Sequence, residues 1–372
     1  MTLALILFSV FTLLVLAAAL VDIIPAAQTW IGRIGIGTLS GDTAREKIAA
    51  VCKRWLHKTP ATPVSDQTRF TLPERLRGTY ASRKLKAWQQ ASLLLGTAQT
   101  GDTAAVKAFR KSVLTPDGSW RQPPQGTDTA MLAYALLCTA EDSAAVRSAM
   151  DVTYAFLLDT ASGGTIPYNT VVPTFRFVDA VGMVCPFLYL YGKTYDCPQA
   201  IDLCMAQLKE YAEKGLHPTL HLPAHAVRQY DGAPLGIYGW GRGCGWYAFA
   251  LAELTRCGAD VRAFAAPFAE AVLSVQQPNG AFSRQVLADP GTESSATAML
   301  GHFLAVESDA SGNADLHHAA LRALHAVYGV TRRNGVVDCA QGDTKGIGFY
   351  STRLSPMPAA QGFALLLAEE LR

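Results

Sequence analysis

The stretch RFVDAVGMVCPFLYLYGK, residues 176–193, decides how the chain is read. Asp179 sits inside an otherwise apolar run: Phe177 and Val178 precede it, and Val181, Met183, Val184, Pro186, Phe187, Leu188 and Leu190 follow. From Asp179 onward the apolar spacing predicts a helix, with Asp179 in or beside its first turn and Pro186 bending or interrupting it. A carboxylate so placed leaves water at a cost unless it is paired or faces a wet cavity. The helix N-terminus favours its charged form, and desolvation its neutral form. Two roles compete for it: an N-cap aspartate, or a catalytic acid at the mouth of a pocket.

The pattern around this stretch recurs along the chain. DGSWRQPPQGTDTAMLAYALL (117–137) is echoed by NGAFSRQVLADPGTESSATAMLGHFL (279–304). Weaker copies are GGTIPYNTVVPTFRFVDAVGMVCPFL (163–188), YDGAPLGIYGWGRGCGWYAFALAEL (230–254) and the segment 334–371. In each, a polar loop leads into an apolar helix. Between them lie amphipathic segments, such as AIDLCMAQLKEYAEK (200–214) and DLHHAALRALHAVYGV (315–330), with apolar residues at i, i+3 and i+4. A period of about 50–65 residues suits one inner and one outer helix per copy. An earlier helix from Lys86 to Leu95 can begin a sixth copy. Six hairpins closing in a ring make an all-α (α/α)6 toroid. Its polar loops then open together at the N-termini of the inner helices, which is what a site needs.

The N-terminus has a different character. LALILFSVFTLLVLAAALV (3–21) is uncharged and long enough to cross a bilayer. The expected organisation is a transmembrane anchor at 1–24, a juxtamembrane segment and linker at 25–75, and the toroid at 76–372. A cleaved signal peptide is the rival reading, with Ala17, Ala18 and Ala19 as a cleavage region. No basic residue precedes the span, whereas Arg33, Arg45 and Lys47 follow it, so the positive-inside bias puts the toroid in the cytoplasm. A formal net charge of +2 over 372 residues offers no face for nucleic acid. The eight cysteines include no CxxC pair and read as free thiols. His217, His221 and His225 are four residues apart, but Pro218 and Pro223 break the helix a metal site would need. With no phosphate or dinucleotide motif either, no metal or cofactor is expected.

Candidate chemistry gathers in the recurring loops. Asp128 in GTDTAML and Asp179 in FVDAVGM hold equivalent places in successive copies. Two carboxylates on neighbouring inner helices drive their pKa values apart, leaving one as an acid. GWGRGCGW (239–246) adds Trp240 and Trp246, flat faces for sugar rings, and Arg242, a fork for a carboxylate. His225 lies on the same rim. Ser294 and Ser295, in PGTESSATAM, either cap a helix or bond a substrate carboxylate.

FRFVDAVGMVCPFLYLYG, AHAVRQYDG followed by GWGRGCGW, and TESSATAM, in this order, resemble glycoside hydrolase families 88 and 105, over residues 80–372. These are the unsaturated glucuronyl and rhamnogalacturonyl hydrolases. The resemblance implies an (α/α)6 barrel acting on oligosaccharides with a 4,5-unsaturated uronic acid at the non-reducing end. Their chemistry is hydration of a vinyl ether: an aspartic acid protonates C4 and water adds at C5. Carried over, Asp179 is that acid and water activator, and Asp128 the assisting carboxylate. His225, Trp240, Arg242 and Trp246 shape the pocket. The chain departs from the pattern at Ala180, where a second Asp is common, and at Cys244, where an amide is. The membrane span motivates a second reading, a non-catalytic saccharide-binding component of membrane-linked polysaccharide assembly.

Overall fold

In the computed structural model, which describes residues 2–288 and 290–372, the chain begins as one helix, α1 (Thr2–Arg33). It runs unbroken through Pro25 and buries none of its residues. At 1.5 Å per residue it is about 48 Å long, against about 30 Å for a bilayer core. Among the described residues it is the one helix long and apolar enough to cross a membrane.

Two helices follow, α2 (Gly41–His57) and the short α3 (Leu72–Leu76). Then come α4 (Ala87–Gln99), α5 (Thr103–Val113), α6 (Thr129–Cys138), α7 (Arg147–Thr160), α8 (Val178–Tyr195) and α9 (Pro198–Gly215). The last are α10 (Gly241–Arg256), α11 (Arg262–Val275), α12 (Ser294–Ser311), α13 (Ala314–Gly329) and α14 (Pro358–Glu370). The even-numbered helices α4 to α14 stand side by side, each against the next, and α14 returns to α4. The odd-numbered ones from α5 to α13 lie outside them. This is the (α/α)6 toroid that the repeats predict. The partition follows from side-chain character: α10 is buried at every residue from Gly241 to Leu254, as befits a helix enclosed on all sides. α5 instead buries Ala105, Val106 and Phe109 and exposes Lys107 and Lys111.

Two features differ from the sequence reading. Pro186 neither stops nor divides its helix: α8 is continuous from Val178 to Tyr195. A mid-helix proline costs about 3 kcal/mol. Full burial of Val184, Phe187 and Leu188 offsets that, at about 1.5–3 kcal/mol per large apolar side chain. The second difference is the segment 25–75, read as linker. It contains α2, which packs on α14 and α4 as the sixth outer helix. Its buried residues, Ala44, Ile48, Val51, Cys52, Trp55 and Leu56, form one narrow stripe. Arg45, Glu46, Lys47, Lys53 and Arg54 hide that stripe from a compositional reading.

Short antiparallel strand pairs sit in the outer-to-inner connections, at the N-terminal end of the inner ring. β1 (Thr62–Pro63) pairs with β2 (Ala81–Ser82). β3 (Phe175–Phe177) pairs with β4 (Ala226–Arg228), which pairs with β5 (Pro234–Leu235). β6 (Ala340–Gln341) pairs with β7 (Leu354–Ser355).

The ring closes where α14 meets α4, and glycine makes that closure close. A Cβ on Gly96 would lie 2.6 Å from the Gly362 carbonyl oxygen, and one on Gly362 would overlap the Ser92 backbone. Neither neighbour is a side chain that can rotate aside. Gly362→Ala should therefore destabilise the protein by about 1–3 kcal/mol, as overpacking does. Urea unfolding should show a lower midpoint with an unchanged slope.

Candidate active site

Strand pairing positions the central acid. Phe177 of β3 lies opposite Ala226 of β4, and the Val178 N–H donates to the His225 carbonyl oxygen at 3.0 Å. That register puts Asp179, in the first turn of α8, beside the His225 ring. Asp179 Oδ2 is 3.7 Å from His225 Nε2, too far for a hydrogen bond, and has no hydrogen-bond partner. Burial pushes the Asp179 carboxyl up to about 6. The charge of Arg242 opposes the rise, as does Lys86, while Asp343 adds to it. Burial and the Arg242 charge drive the His225 imidazole down to about 4, so it is neutral at pH 6–7.

These residues surround a cavity of about 280 Å³ at the N-terminal end of the inner helices. Trp88, Met183 and Trp246 give it apolar walls, and the two indoles meet edge to face at 5.5 Å. Phe177 and Tyr168 line it on the side of the α7–α8 connection. Lys86, Arg242, Asp343 and Lys345 supply charge, and residues 343–347 form part of its rim.

Arg242, in the first turn of α10, is 3% exposed, and two backbone carbonyls hold its guanidinium. It donates to Gln341 O at 2.6 Å and to Gly342 O at 2.8 Å. Among the described residues no carboxylate lies within ion-pair distance of it. Its charge is thus fixed in place but not neutralised, which suits an incoming anion. The carbonyls are themselves anchored. Trp240 Nε1 donates to Gln341 Oε1 at 2.9 Å, and the Gln341 N–H donates to Glu293 Oε1 at 2.8 Å.

The structure brings together four of the eight residues singled out in the sequence: Asp179, His225, Arg242 and Trp246 all line the cavity. Asp128, Trp240, Ser294 and Ser295 are not among its lining residues. Trp240 packs behind His225 at 4.6 Å, with its indole N–H committed to Gln341. The α12 cap falls to Glu293, whose carboxylate accepts from the Ser295 and Ala296 amides and from the Ser295 hydroxyl. That occupies Ser295 structurally, while Ser294 Oγ is buried without a partner. Asp128 stands at the α6 N-cap position without bonding its own helix. Burial raises its carboxyl, against the Lys86 charge and the Ala87 and Trp88 amides at the start of α4. It shares this end of the ring with Asp179, since the Tyr168 hydroxyl is pushed up by burial and by Asp179, Asp128 and Asp343 together.

The carboxylate that raises Asp179 is Asp343, which pairs with Lys86 at 2.9 Å. Sequence reasoning missed both. Asp343 lies in CAQGDTKGIGFY, outside the candidate residues drawn from the recurring loops, and Lys86 is the residue just before α4.

An inner ring of six helices with a buried acid, a tethered arginine and paired indoles at one mouth defines a helical toroid with a candidate site at one end. A profile described as Glycosyl Hydrolase Family 88 matches residues 125–372, about two thirds of the chain, and the chain belongs to that family. Solved structures share the fold at low identity. A possible family 105 member from Salmonella enterica serovar Paratyphi A superposes with a TM-score of 0.69 at 16% identity, covering 89% of this chain and 94% of that one. One from Klebsiella pneumoniae gives 0.69 at 16%, covering 89% and 93%. The unsaturated glucuronyl hydrolase of Bacillus sp. GL1, responsible for the degradation of glycosaminoglycan, gives 0.61 at 15%, covering 88% and 94%. No curated protein matches.

Charge placement around Asp179 yields a paired prediction. Asp343→Asn removes the carboxylate that raises Asp179 and frees Lys86, so the Asp179 pKa should fall. Lys86→Met removes a charge that lowers it, so the pKa should rise. Carboxyl 13C titration of Asp179 should show the two variants moving in opposite directions, each by about half a unit or more.

Proposed function

We propose that the protein hydrolyses oligosaccharides carrying a terminal unsaturated uronic acid, by hydration of the vinyl ether with Asp179 as acid and water activator. The observation that carries this reading is the Asp179 carboxyl: buried, raised to about 6, and with Oδ2 unpartnered in a cavity that also holds Arg242. Protonating carbon needs an acid that keeps its proton near working pH. At pH 7 about one Asp179 in ten is protonated, against fewer than one in a thousand for an unperturbed aspartate.

In the proposed course Asp179 delivers its proton to C4, and positive charge develops at C5 and the ring oxygen. Water then adds at C5 and loses a proton to the Asp179 carboxylate, which restores the acid. The resulting hemiketal opens, and the glycosidic link breaks as the aglycone hydroxyl leaves. Arg242 is placed to hold the uronate carboxylate, and Trp88 and Trp246 to flank the ring. Neutral His225 serves as a hydrogen-bonding wall, since a group titrating near 4 is no acid at pH 6–7. Asp128 keeps its place as the assisting carboxylate, acting beyond the cavity lining. Family membership supports the glycosidase reading. The α1 helix is read as a membrane anchor, with the toroid on the cytoplasmic side through Arg33 and the basic residues after it.

Activity should need protonated Asp179, so the rate should fall tenfold per pH unit above about 6, followed as loss of the conjugated uronide's ultraviolet absorbance. Asp179→Asn should reduce that loss by about 10²-fold or more, whereas an unchanged rate would overturn the assignment.

The same substitution carries a stability signature. The folded pKa lies above the unfolded 3.8, so between about pH 4 and 6 the native state holds a proton that the unfolded chain has lost. Native stability therefore declines as pH rises through that window. Asp179→Asn should remove the decline, giving a gain of about 2–3 kcal/mol at pH 7 that vanishes below about pH 4. Denaturant unfolding at both pH values measures it.

A further inference from the structure

We propose that the cavity mouth is a lipid-docking face, so that the site opens onto an anionic membrane surface and serves glycans held there. The inference rests on reading α1 as a bilayer span. It starts from where α1 is fastened. Asp22 accepts from the Phe70 and Thr71 amides and the Thr71 hydroxyl. Arg33 forms a bidentate pair with Asp338, at 2.8 and 3.0 Å, and donates to Leu354 O at 3.1 Å. The Gly37 N–H donates to Thr331 O at 3.0 Å. Every one of these partners lies in the α2–α4 or α13–α14 connection. Both are outer-to-inner connections, and so belong to the end of the toroid where the cavity opens. The apolar helix leaves the protein beside its own active-site mouth.

The surface around that mouth has the character of a membrane-facing one. Beyond residue 34, nine large hydrophobic side chains are exposed among the described residues, and seven of them lie on outer-to-inner connections. They include Phe70, Leu76, Val171, Tyr230, Leu287 and Phe349, contributed by five different connections. The other two, Val152 and Leu158, are on α7, and the inner-to-outer connections at the opposite end carry none. Single exposed apolar residues are unremarkable, but their concentration on the connections at one end of the toroid marks that end as the one suited to binding. Charge follows the same division. Residues 58–86 and 330–357, the two connections that hold α1, carry eleven Lys and Arg against four Asp and Glu. The rest of the chain carries twenty-one against twenty-six. Apolar side chains set among basic ones are the pattern of interfacial membrane contact, where burial and attraction to anionic headgroups act together.

The test uses the full chain in nanodiscs of phosphatidylglycerol, in nanodiscs of phosphatidylcholine and in detergent, read by hydrogen–deuterium exchange. Rim peptides covering 66–78, 168–173 and 345–351 should exchange at least about fivefold more slowly in phosphatidylglycerol than in detergent. The connections at 139–146 and 257–261 should not change. Phe70→Ser, Leu76→Ser and Val171→Ser together should abolish the rim protection while α1 remains protected. All three residues are exposed, so turnover of a soluble unsaturated disaccharide should persist. Rim exchange equal in all three environments, with α1 protected, would overturn the docking proposal and leave the span intact. Exposure of α1 in nanodiscs would overturn both. Rim protection that follows protein concentration rather than lipid would assign the surface to a second copy of the chain. None of these readouts depends on catalysis, so failure of the hydrolase reading would show separately, as absence of turnover.

Discussion

An arginine buried without a carboxylate partner among the described residues is the constraint around which the rest of the site is arranged. Taking a guanidinium out of water costs several kcal/mol unless other groups replace its solvation. Here the Gln341 and Gly342 carbonyls do so, and their own segment is pinned from three directions. Trp240 holds the Gln341 side chain, Glu293 holds the Gln341 amide, and Asp338, a few residues earlier, is gripped by Arg33 and Arg332. Glu293 thus caps α12 and fixes the Arg242 cradle with the same carboxylate. The positive charge left over tempers the rise of the Asp179 pKa, lowers that of His225, and awaits an anion.

The same electrostatics adds a third carboxylate, Asp343, to the acidic pair read from the sequence. Equivalent places in the repeat pointed to Asp128 as the partner of Asp179. The two do not sit at the same depth, however. Asp128 sits one residue ahead of α6 and leans on the start of α4, whereas Asp179 lies inside the first turn of α8. Burial does most to raise Asp179, and a carboxylate distant in sequence, Asp343, adds to it.

Much of the architecture was legible because toroid hairpins write their period into the sequence. Inner helices are apolar on all faces, outer ones on one, and the loops between them repeat. What escaped had physical reasons. α2 buries a stripe six residues strong beneath a charged surface, and its partner, α14, is about three hundred residues away. Pro186 looked like a helix breaker because local cost is visible in a sequence and compensating burial is not. In the site, Asp179, His225, Arg242 and Trp246 were legible from their unusual settings. Trp240, Ser294 and Ser295 were singled out by residue type, and the fold spends two of them on support, Trp240 on Gln341 and Ser295 on Glu293. Lys86 and Asp343 were invisible because nothing local distinguishes them.

Closure of the ring by α2 and α14 has a consequence for assembly. The outer member of the closing hairpin, α2, is made before the other barrel helices, and its inner partner, α14, after them. During synthesis α2 must wait for α14, with α4 to pack against meanwhile, as ten further barrel helices emerge. Five hairpins can stack in order as they appear, since each contacts its neighbour. The sixth joins α2 to α14, about three hundred residues apart, and can form only after α14 has emerged. The cavity lies on that late seam, with Lys86 and Trp88 on one side and residues 343–347 on the other. A nascent toroid is therefore an open horseshoe without a finished pocket, and binding competence waits for the segment that carries residues 343–347.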